Sequence, residues 1–324
     1  MPSSPAFICS RDDANFEMER LRNEGLINSN LRPMEYGEKI AIPVNEGELL
    51  LDFEIVKKDT PFSQLKKILS NPPETVSYTH LRAHFPESTN TSQWPMAEVA
   101  DIFNAEKLAL QSTIDPGMER KSSLTLIHGN DGWIKHKETH VNYIFDATKS
   151  MFSSGNVTER GRMGRLDAEG ETIVDAYAGV GYYTLQLLVN ANASHVHACE
   201  INPVAIDALE KGLMENKVTQ RCTIHEGDNR KIMRGLKGIA DRVVLGLIPS
   251  SMNTWGLAVN CLKSSGGIIH VHMNVHKNEL TEWSNKTADW FATVSGKKVT
   301  ILHLEMVKKY SPNIHHVVLD LQFD

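Results

Sequence analysis

The chain has 324 residues, too many for one compact module of ordinary size, so two domains or one large domain with an N-terminal addition is expected. With 41% hydrophobic and 23% charged residues the composition is globular, which excludes a disordered or fibrous protein. A formal charge of −6 announces no nucleic-acid binder, but phosphate binding needs only local Lys/Arg clusters, so the mean excludes little.

The longest apolar runs are a few residues, far short of a membrane crossing, so no membrane partner is expected. MPSSPAFICSRDDANFEMER lacks the apolar core of a secretory signal. Cys9, Cys199, Cys222 and Cys261 stand far apart without a C-x-x-C pair. That argues against a zinc site or a disulfide scaffold, and for a reducing, cytoplasmic home.

In chain order, the first forty residues are polar without a sustained period, and a frayed or weakly packed start is expected. ELLLDFEIVK (48–57) reads as a strand and PFSQLKKILS (61–70) as a short helix, with Pro61 suited to its first turn. The Pro/Ser/Thr-rich stretch that runs on to residue 94 reads as a linker or irregular surface segment, so 1–93 is treated as a partly irregular N-terminal region. From 94 to 150 a small α+β module is expected. WPMAEVADIFNAEKLALQ has helical spacing, while LTLIHG, GWIKH and VNYIFD alternate as strands do around a Gly-Asn-Asp-Gly turn.

Residues 151–324 carry a different rhythm. ETIVDAYAG, SHVHACE, CTIHEGD, ADRVVLGLI and GGIIHVHMN read as strands, alternating with helices such as PVAIDALEKGLMEN and ELTEWSNKTADWFATV. Such alternation demands parallel pairing through right-handed crossovers, hence an open α/β sheet. VTILHLEMVKKYSPNIHHVVLDLQF holds two strand-like runs and no helix, so it should close the sheet as an antiparallel hairpin. The fold expected is α/β, a class I S-adenosylmethionine-dependent methyltransferase-like doubly wound sheet of Rossmann type. A smaller α+β N-terminal domain precedes it.

Polar residues gather at the expected carboxyl ends of three successive strands. VDAYAGVGYYTL puts Asp175, Gly179 and Gly181 between the first strand and its helix, where small residues let backbone N–H groups approach a ligand. Glu200 ends the second strand, where a carboxylate can accept both ribose hydroxyl protons. Asp228 and Asn229 follow the third, suited to an adenine amino group. Each alone reads equally well as a loop cap or solvated surface; the set, in this order, implies a bound adenosine cofactor. S-adenosylmethionine is favoured over a dinucleotide by the terminal hairpin and by the absence of a third glycine.

From about 94 to 276 the chain resembles the tRNA wybutosine-synthesising aminocarboxypropyltransferases, relatives of the tRNA guanosine-37 N1-methyltransferases. The motifs that carry the likeness are KLALQ, GWIKH, YIFDATKSMFSSGNVTER, VDAYAGVGYYTL, HVHACEINP, IHEGDNR and ADRVVLGLIPSS. The first ninety residues show none. The resemblance implies transfer of the 3-amino-3-carboxypropyl group of S-adenosylmethionine to the C7 carbon of 4-demethylwyosine. That tricyclic guanosine derivative lies at position 37 of tRNA(Phe), and transfer releases methylthioadenosine. It also implies cofactor contacts at Ser153, Arg160, Glu200, Asp228 and Asn229, with Arg160 standing where the family usually has Lys.

Independently, a sulfonium has three carbon neighbours, and the nucleophile attacks whichever it meets in line, so cofactor orientation selects the group transferred. Presenting the methionine arm requires its carboxylate to be anchored, a task suited to a hydroxyl and a fixed cation such as Ser153 and Arg160. Enzymes that alkylate a base nitrogen often end the fourth strand in Asn or Asp before Pro-Pro. Here Leu247, Ile248, Pro249, Ser250 and Ser251 stand instead, offering an apolar wall and hydroxyls, with Pro249 and Ser250 as candidate substrate contacts. The base that takes the proton from the alkylated carbon is not identified.

Plainer readings remain for several features. Asn156 and Glu159 fit a helix N-cap with an acidic third residue. Arg160, Arg162 and Arg165 form either a solvated helix face or a tRNA phosphate contact. His270 and His272 share one strand face, but lack a carboxylate or cysteine neighbour in sequence, so no metal is expected. The five tryptophans read as packing rather than base-stacking platforms. Two other functions stay open: an N1-guanosine methyltransferase, and a catalytically silent tRNA-binding protein that keeps the fold.

Overall fold

A computed structural model describes residues 2–54, 61–69, 77–79, 82–111, 124–150, 152 and 154–324. The chain divides into two compact units, Met1–Phe152 and Ser153–Asp324.

The first unit opens with β1 (Ser3–Ser10), α1 (Ala14–Asn23), β2 (Met34–Tyr36), β3 (Lys39–Pro43) and β4 (Leu50–Asp52). The strands form one antiparallel sheet in the order β2-β3-β1-β4. Cys9, Ala14, Leu21, Ile42 and Val44 are buried together, so the frayed start expected from the sequence is corrected. These residues carry no local period; pairing of β1 with β3 brings Cys9 opposite Ile40, and α1 covers the result. The strand expected over 48–57 is found only at Leu50–Asp52, and residues 55–60 lie outside the described residues.

Next come α2 (Pro61–Ile68), β5 (Ser77–Thr79), β6 (Arg82–Pro86), α3 (Met96–Ile102), β7 (Lys107–Gln111) and β8 (Leu124–His128), with the strands in sheet order β5-β6-β7-β8. The stretch read as a linker thus contributes two strands. The helix read through 94–111 stops early, because Asn104 takes φ +47, a left-handed conformation that Asn tolerates and a helix does not. Freed from the helix, Lys107–Gln111 pairs in parallel with Arg82–Pro86. Residue 93 therefore lies between two strands of one sheet. β9 (Trp133–Glu138) and β10 (Val141–Asp146) form a hairpin turned by Thr139 and His140, both at positive φ.

The second unit contains α4 (Val157–Gly164), β11 (Thr172–Asp175), α5 (Thr184–Val189), β12 (His195–Glu200), α6 (Pro203–Glu215) and β13 (Cys222–Glu226). It continues with α7 (Asn229–Ile232), β14 (Arg242–Leu245), α8 (Trp255–Cys261), β15 (Gly267–His276), α9 (Leu280–Ser295), β16 (Val299–Lys309) and β17 (Ile314–Phe323). Its seven-stranded sheet has the order β13-β12-β11-β14-β15-β17-β16, with the first five strands parallel and β17 antiparallel to both neighbours. This is the class I α/β fold with its terminal hairpin.

Val174, Val243, Leu245, Ile269 and Val271 are fully buried in the centre of that sheet, each contributing roughly 1.5–3 kcal/mol of transfer free energy. α8 and α9 pack Trp255 on Phe291 with rings stacked 5.0 Å apart, so Trp255 is a packing residue of the core, as expected from the sequence. α6 begins cleanly because Asn202 accepts a hydrogen bond from the Val204 backbone N–H at 2.9 Å and Pro203 occupies the first turn. Strand order reverses between β11 and β14, which opens a crevice outside their carboxyl ends. Among the described residues no helix is long and apolar enough to cross a membrane.

Candidate functional site

Three loops meet at that crevice, and side chains from one strand end tie down the backbone of the next. The Glu200 carboxylate accepts the Gly179 N–H at 2.7 Å on one oxygen, and those of Ile201 and Asn202 at 2.9 and 2.8 Å on the other. A carboxylate offers roughly four acceptor positions, so capacity remains for a ligand hydroxyl. Asn229 donates its side-chain N–H to the Ala176 carbonyl at 2.7 Å, and the Gly227 N–H reaches the Glu200 carbonyl at 2.8 Å. The loops after β11, β12 and β13 are thereby one cross-linked unit.

Asp175 lies beneath them, fully buried. Its carboxylate accepts from the Thr184 hydroxyl at 2.8 Å and the Tyr177 N–H at 3.2 Å. Burial pushes this carboxyl up to about 6, partly offset by those two hydrogen bonds. Asp228 caps α7 by accepting the Arg230 N–H at 2.9 Å and pairs with the Arg230 guanidinium at 2.7 Å, which draws its carboxyl down to about 2. Its oxygens face that arginine and the helix start.

The glycines answer to steric demands. Gly179 sits at φ +56, and a Cβ there would come 2.7 Å from the Tyr182 ring; Gly181 sits at φ +94, where a Cβ would come 2.8 Å from Leu209. Both positions need left-handed backbone in a space already filled.

α4 supplies the next group. Arg160 is 1% exposed, its guanidinium 6.0 Å from the centroid of the Tyr182 ring in the glycine loop. Ser153 lies outside the described residues. Asn156 is the N-cap of α4, yet its side chain makes no capping bond, and its Oδ1 is buried without a hydrogen-bond partner. Glu159, fully buried, pairs with Arg162 at 2.8 Å, so the capping box read from the sequence is not formed. The reading of Arg162 as part of a solvated or phosphate-binding face is also corrected, because its charge is spent on Glu159 and on Asp320 at 2.6 Å. Arg165, at the end of the helix, is exposed.

On the other side of the crevice, β14 runs into Gly246–Ser251. The Pro249 carbonyl accepts the Asn274 N–H at 3.0 Å, and Ser250 bridges to Met273, so the segment is held against β15. Ser250 Oγ accepts the Met252 N–H at 3.2 Å, and Ser251 Oγ accepts the Trp255 ring N–H at 3.1 Å. Gly246 leaves room for the Tyr183 ring, which a Cβ would meet at 2.9 Å.

Several partnerships here escaped sequence reasoning. Asp320 hydrogen-bonds His270 at 2.6 Å, a carboxylate partner that lies fifty residues away and so gave no local signal. His272 Nδ1 is 3.1 Å from His316 Nε2, while His272 Nε2 and Asn274 Oδ1 are buried without a hydrogen-bond partner. Ile201, directly after Glu200, is 55% exposed and presents an apolar surface beside the crevice; its place after a strand-ending acid could have marked it.

The donor set fits S-adenosylmethionine on this geometry. Carboxylate acceptors stand at the strand ends, an exposed apolar residue adjoins them, and a buried cation is set against the loop.

Known proteins give the same direction. The TRM5/TYW2 methyltransferase domain family matches residues 134–300. The chain is 45% identical over 241 residues to tRNA wybutosine-synthesizing protein 2/3/4 of Oryza sativa subsp. japonica, covering 73% of this chain and 23% of that protein. It is 42% identical over 260 residues to the tRNA wybutosine-synthesizing protein 2 homolog of Danio rerio, covering 69% of this chain and 63% of that one. The chain thus spans less than a quarter of the plant relative and under two thirds of the fish one. Among solved structures, P. horikoshii TYW2 in complex with MeSAdo is 28% identical, with a TM-score of 0.66 over 81% of this chain and 94% of that one. M. jannaschii TYW2 in complex with AdoMet is 26% identical, with a TM-score of 0.62 over 77% and 99%. By the match of the family over 134–300, the chain belongs to the TRM5/TYW2 methyltransferase domain family.

Proposed function

We propose that this protein is a cytoplasmic enzyme that transfers the 3-amino-3-carboxypropyl group of S-adenosylmethionine to C7 of 4-demethylwyosine at position 37 of tRNA(Phe). The observation that carries the reading is the pairing of two differently built walls: the Glu200-centred loop unit and the buried Arg160. Glu200 has acceptor capacity for ribose hydroxyls, Ile201 offers a surface to adenine, and Asp228 and Asn229 border the base. Asp175, Gly179 and Gly181 shape the loop over which the sulfonium would lie.

Arg160 gives the amino-acid arm a fixed cation for its carboxylate, and Ser153, which lies outside the described residues, is the hydroxyl that the sequence offers beside it. A bound sulfonium supplies an electrophilic carbon on each of three arms, and the protein chooses among them by orientation. Leu247, Ile248, Pro249 and Ser250 bring no amide or carboxylate side chain to the acceptor side, which suits a carbon nucleophile better than a ring nitrogen in need of lone-pair direction. Buried Oδ1 atoms of Asn156 and Asn274 add acceptors for ligand N–H groups.

MeSAdo, with which the P. horikoshii TYW2 was solved, is what remains of AdoMet once the aminocarboxypropyl group has left. The test is to incubate the protein with S-adenosylmethionine and tRNA(Phe) bearing 4-demethylwyosine, then identify the nucleoside co-product. Methylthioadenosine is expected; S-adenosylhomocysteine with a methylated base would overturn the reading in favour of an N1-methyltransferase.

A further inference from the structure

One face of the second unit's sheet carries a continuous chain of buried and part-buried ionisable groups. It begins on α4, where Glu159 holds Arg162 through two hydrogen bonds of 2.8 Å. Arg162 reaches across to Asp320 on β17 at 2.6 and 3.2 Å. Asp320 hydrogen-bonds His270 on β15 at 2.6 Å, and His270 is 2.8 Å from Arg242 on β14. Arg242 ends the chain in a two-point contact with Glu171, at 2.6 and 2.7 Å. Glu159, Asp320, His270 and Arg242 are each at most 5% exposed.

Such a chain is costly to bury and brings little net stability over well-packed apolar side chains, so its value lies in the geometry it enforces. Fork-on-carboxylate contacts restrict direction as well as distance. What they restrict here is α4. Arg160 and Arg162 are two residues apart, hence about 200° apart around the helix axis, so the two arginines leave opposite sides of the helix. Arg162 is clamped by Asp320. The other lies over Tyr182 of the glycine loop. A rotation of α4 that slackened the Arg162 clamp would swing Arg160 with it. Close packing at Gly164, where a Cβ would come 2.5 Å from the Gln186 side chain, sets how near α4 lies to α5; the clamp sets its rotation.

We propose that Asp320, Arg162 and His270 are positioning residues for the amino-acid arm of the donor: by fixing the rotation of α4 against β15 and β17 they aim Arg160, and thereby determine which sulfonium carbon faces the acceptor. This rests on the reading above that Arg160 holds the arm's carboxylate. The polar atoms of the three are engaged with one another, with Glu159 and with Arg242, so in this proposal their effect on the donor passes through Arg160.

Methylthioadenosine has the adenosine and sulfur of the donor but no amino-acid arm, so it separates the two halves of the site. Calorimetric titration of the full chain with S-adenosylmethionine and with methylthioadenosine is the test, on Asp320→Asn, Arg162→Lys and Arg160→Ala. In Asp320→Asn and Arg162→Lys, S-adenosylmethionine affinity should fall about tenfold while methylthioadenosine affinity stays within about twofold, a difference of about 1.4 kcal/mol confined to the arm. In turnover with the modified tRNA, the ratio of S-adenosylhomocysteine to methylthioadenosine should rise. Equal weakening of both ligands, or of neither, overturns the proposal. Far-ultraviolet circular dichroism reports whether each variant is folded, and if Asp320→Asn is not, Arg162→Lys decides, since it keeps the charge and loses the fork. If Arg160→Ala discriminates between the ligands but the other two do not, only the positioning role fails. If Arg160→Ala does not discriminate either, the assignment of the arm to Arg160 fails, and this proposal with it.

Discussion

The two walls of the crevice are held by different physics. On the side of β11, β12 and β13, side chains at strand ends bind backbone N–H and C=O groups of the adjoining loop, as Glu200 does with Gly179 and Asn229 with Ala176. On the side of α4, β15 and β17, side chains bind side chains across the sheet, and Arg162 and Asp320 are 158 residues apart in the chain. The first arrangement shapes a rigid cradle from short, strand-to-loop segments. The second fixes the rotation of one short helix from a distance. A site that must hold an invariant adenosine and also choose among three arms of one sulfur has use for both.

The difference can be broken from either side. The largest effect is expected from Arg162→Ala, which strands Glu159 as a buried unpaired carboxylate and leaves Asp320 with His270 alone; a loss of about 3–5 kcal/mol in unfolding free energy should appear as a lower urea midpoint. Glu200→Ala removes three charge-assisted acceptor contacts and should cost about 2–3 kcal/mol in stability. Unlike the arm-side variants, it should weaken S-adenosylmethionine and methylthioadenosine alike in titration calorimetry. Gly179→Ala forces a Cβ onto left-handed backbone against Tyr182, with an expected loss of about 1–2 kcal/mol by thermal unfolding.

A subtler probe is pH. Burial pushes the Glu159 carboxyl up to about 7, above its ordinary value, with Arg162 pulling the other way. The folded state then binds more protons than the unfolded one between about 4.5 and 7. This contribution is fully present below that window and is lost as pH rises through it. Glu159→Gln should flatten that part of the stability profile in urea titrations. Asp175, raised to about 6 for the same reason, slopes in the same direction and persists in the variant. Asp320 is held far below the usual carboxylate range despite its burial, by His270 and then Arg162, so its contribution is lost only as pH falls below the ordinary carboxylate value.

How much was legible follows the same division. The α/β rhythm after residue 171 is local: each strand, turn and helix announces itself within ten or so residues, and Asp175, Gly179, Gly181, Glu200, Asp228 and Asn229 stand at those junctions. Their convergence follows once the strands are parallel. The first forty residues hid their order, because Cys9, Leu21 and Ile42 make a core only after β1 and β3 pair. KLALQ looked helical, since its apolar spacing continued that of α3, and pairing with Arg82–Pro86 and with Leu124–His128 makes it a strand. Asp320 was invisible for want of any neighbour in sequence that uses it, and Arg162 was misread because nothing local betrays a partner 158 residues away. The helix start at Asn156 was located, but not that its side chain stays uncommitted.

The most direct measurement of the central claim uses two samples of S-adenosylmethionine, one isotopically labelled in the methyl group and one in the 3-amino-3-carboxypropyl chain, each incubated with the protein and tRNA(Phe) carrying 4-demethylwyosine. Mass spectrometry of nucleoside 37 should find the label only from the carboxypropyl-labelled donor. Label arriving from the methyl-labelled donor instead would contradict the account.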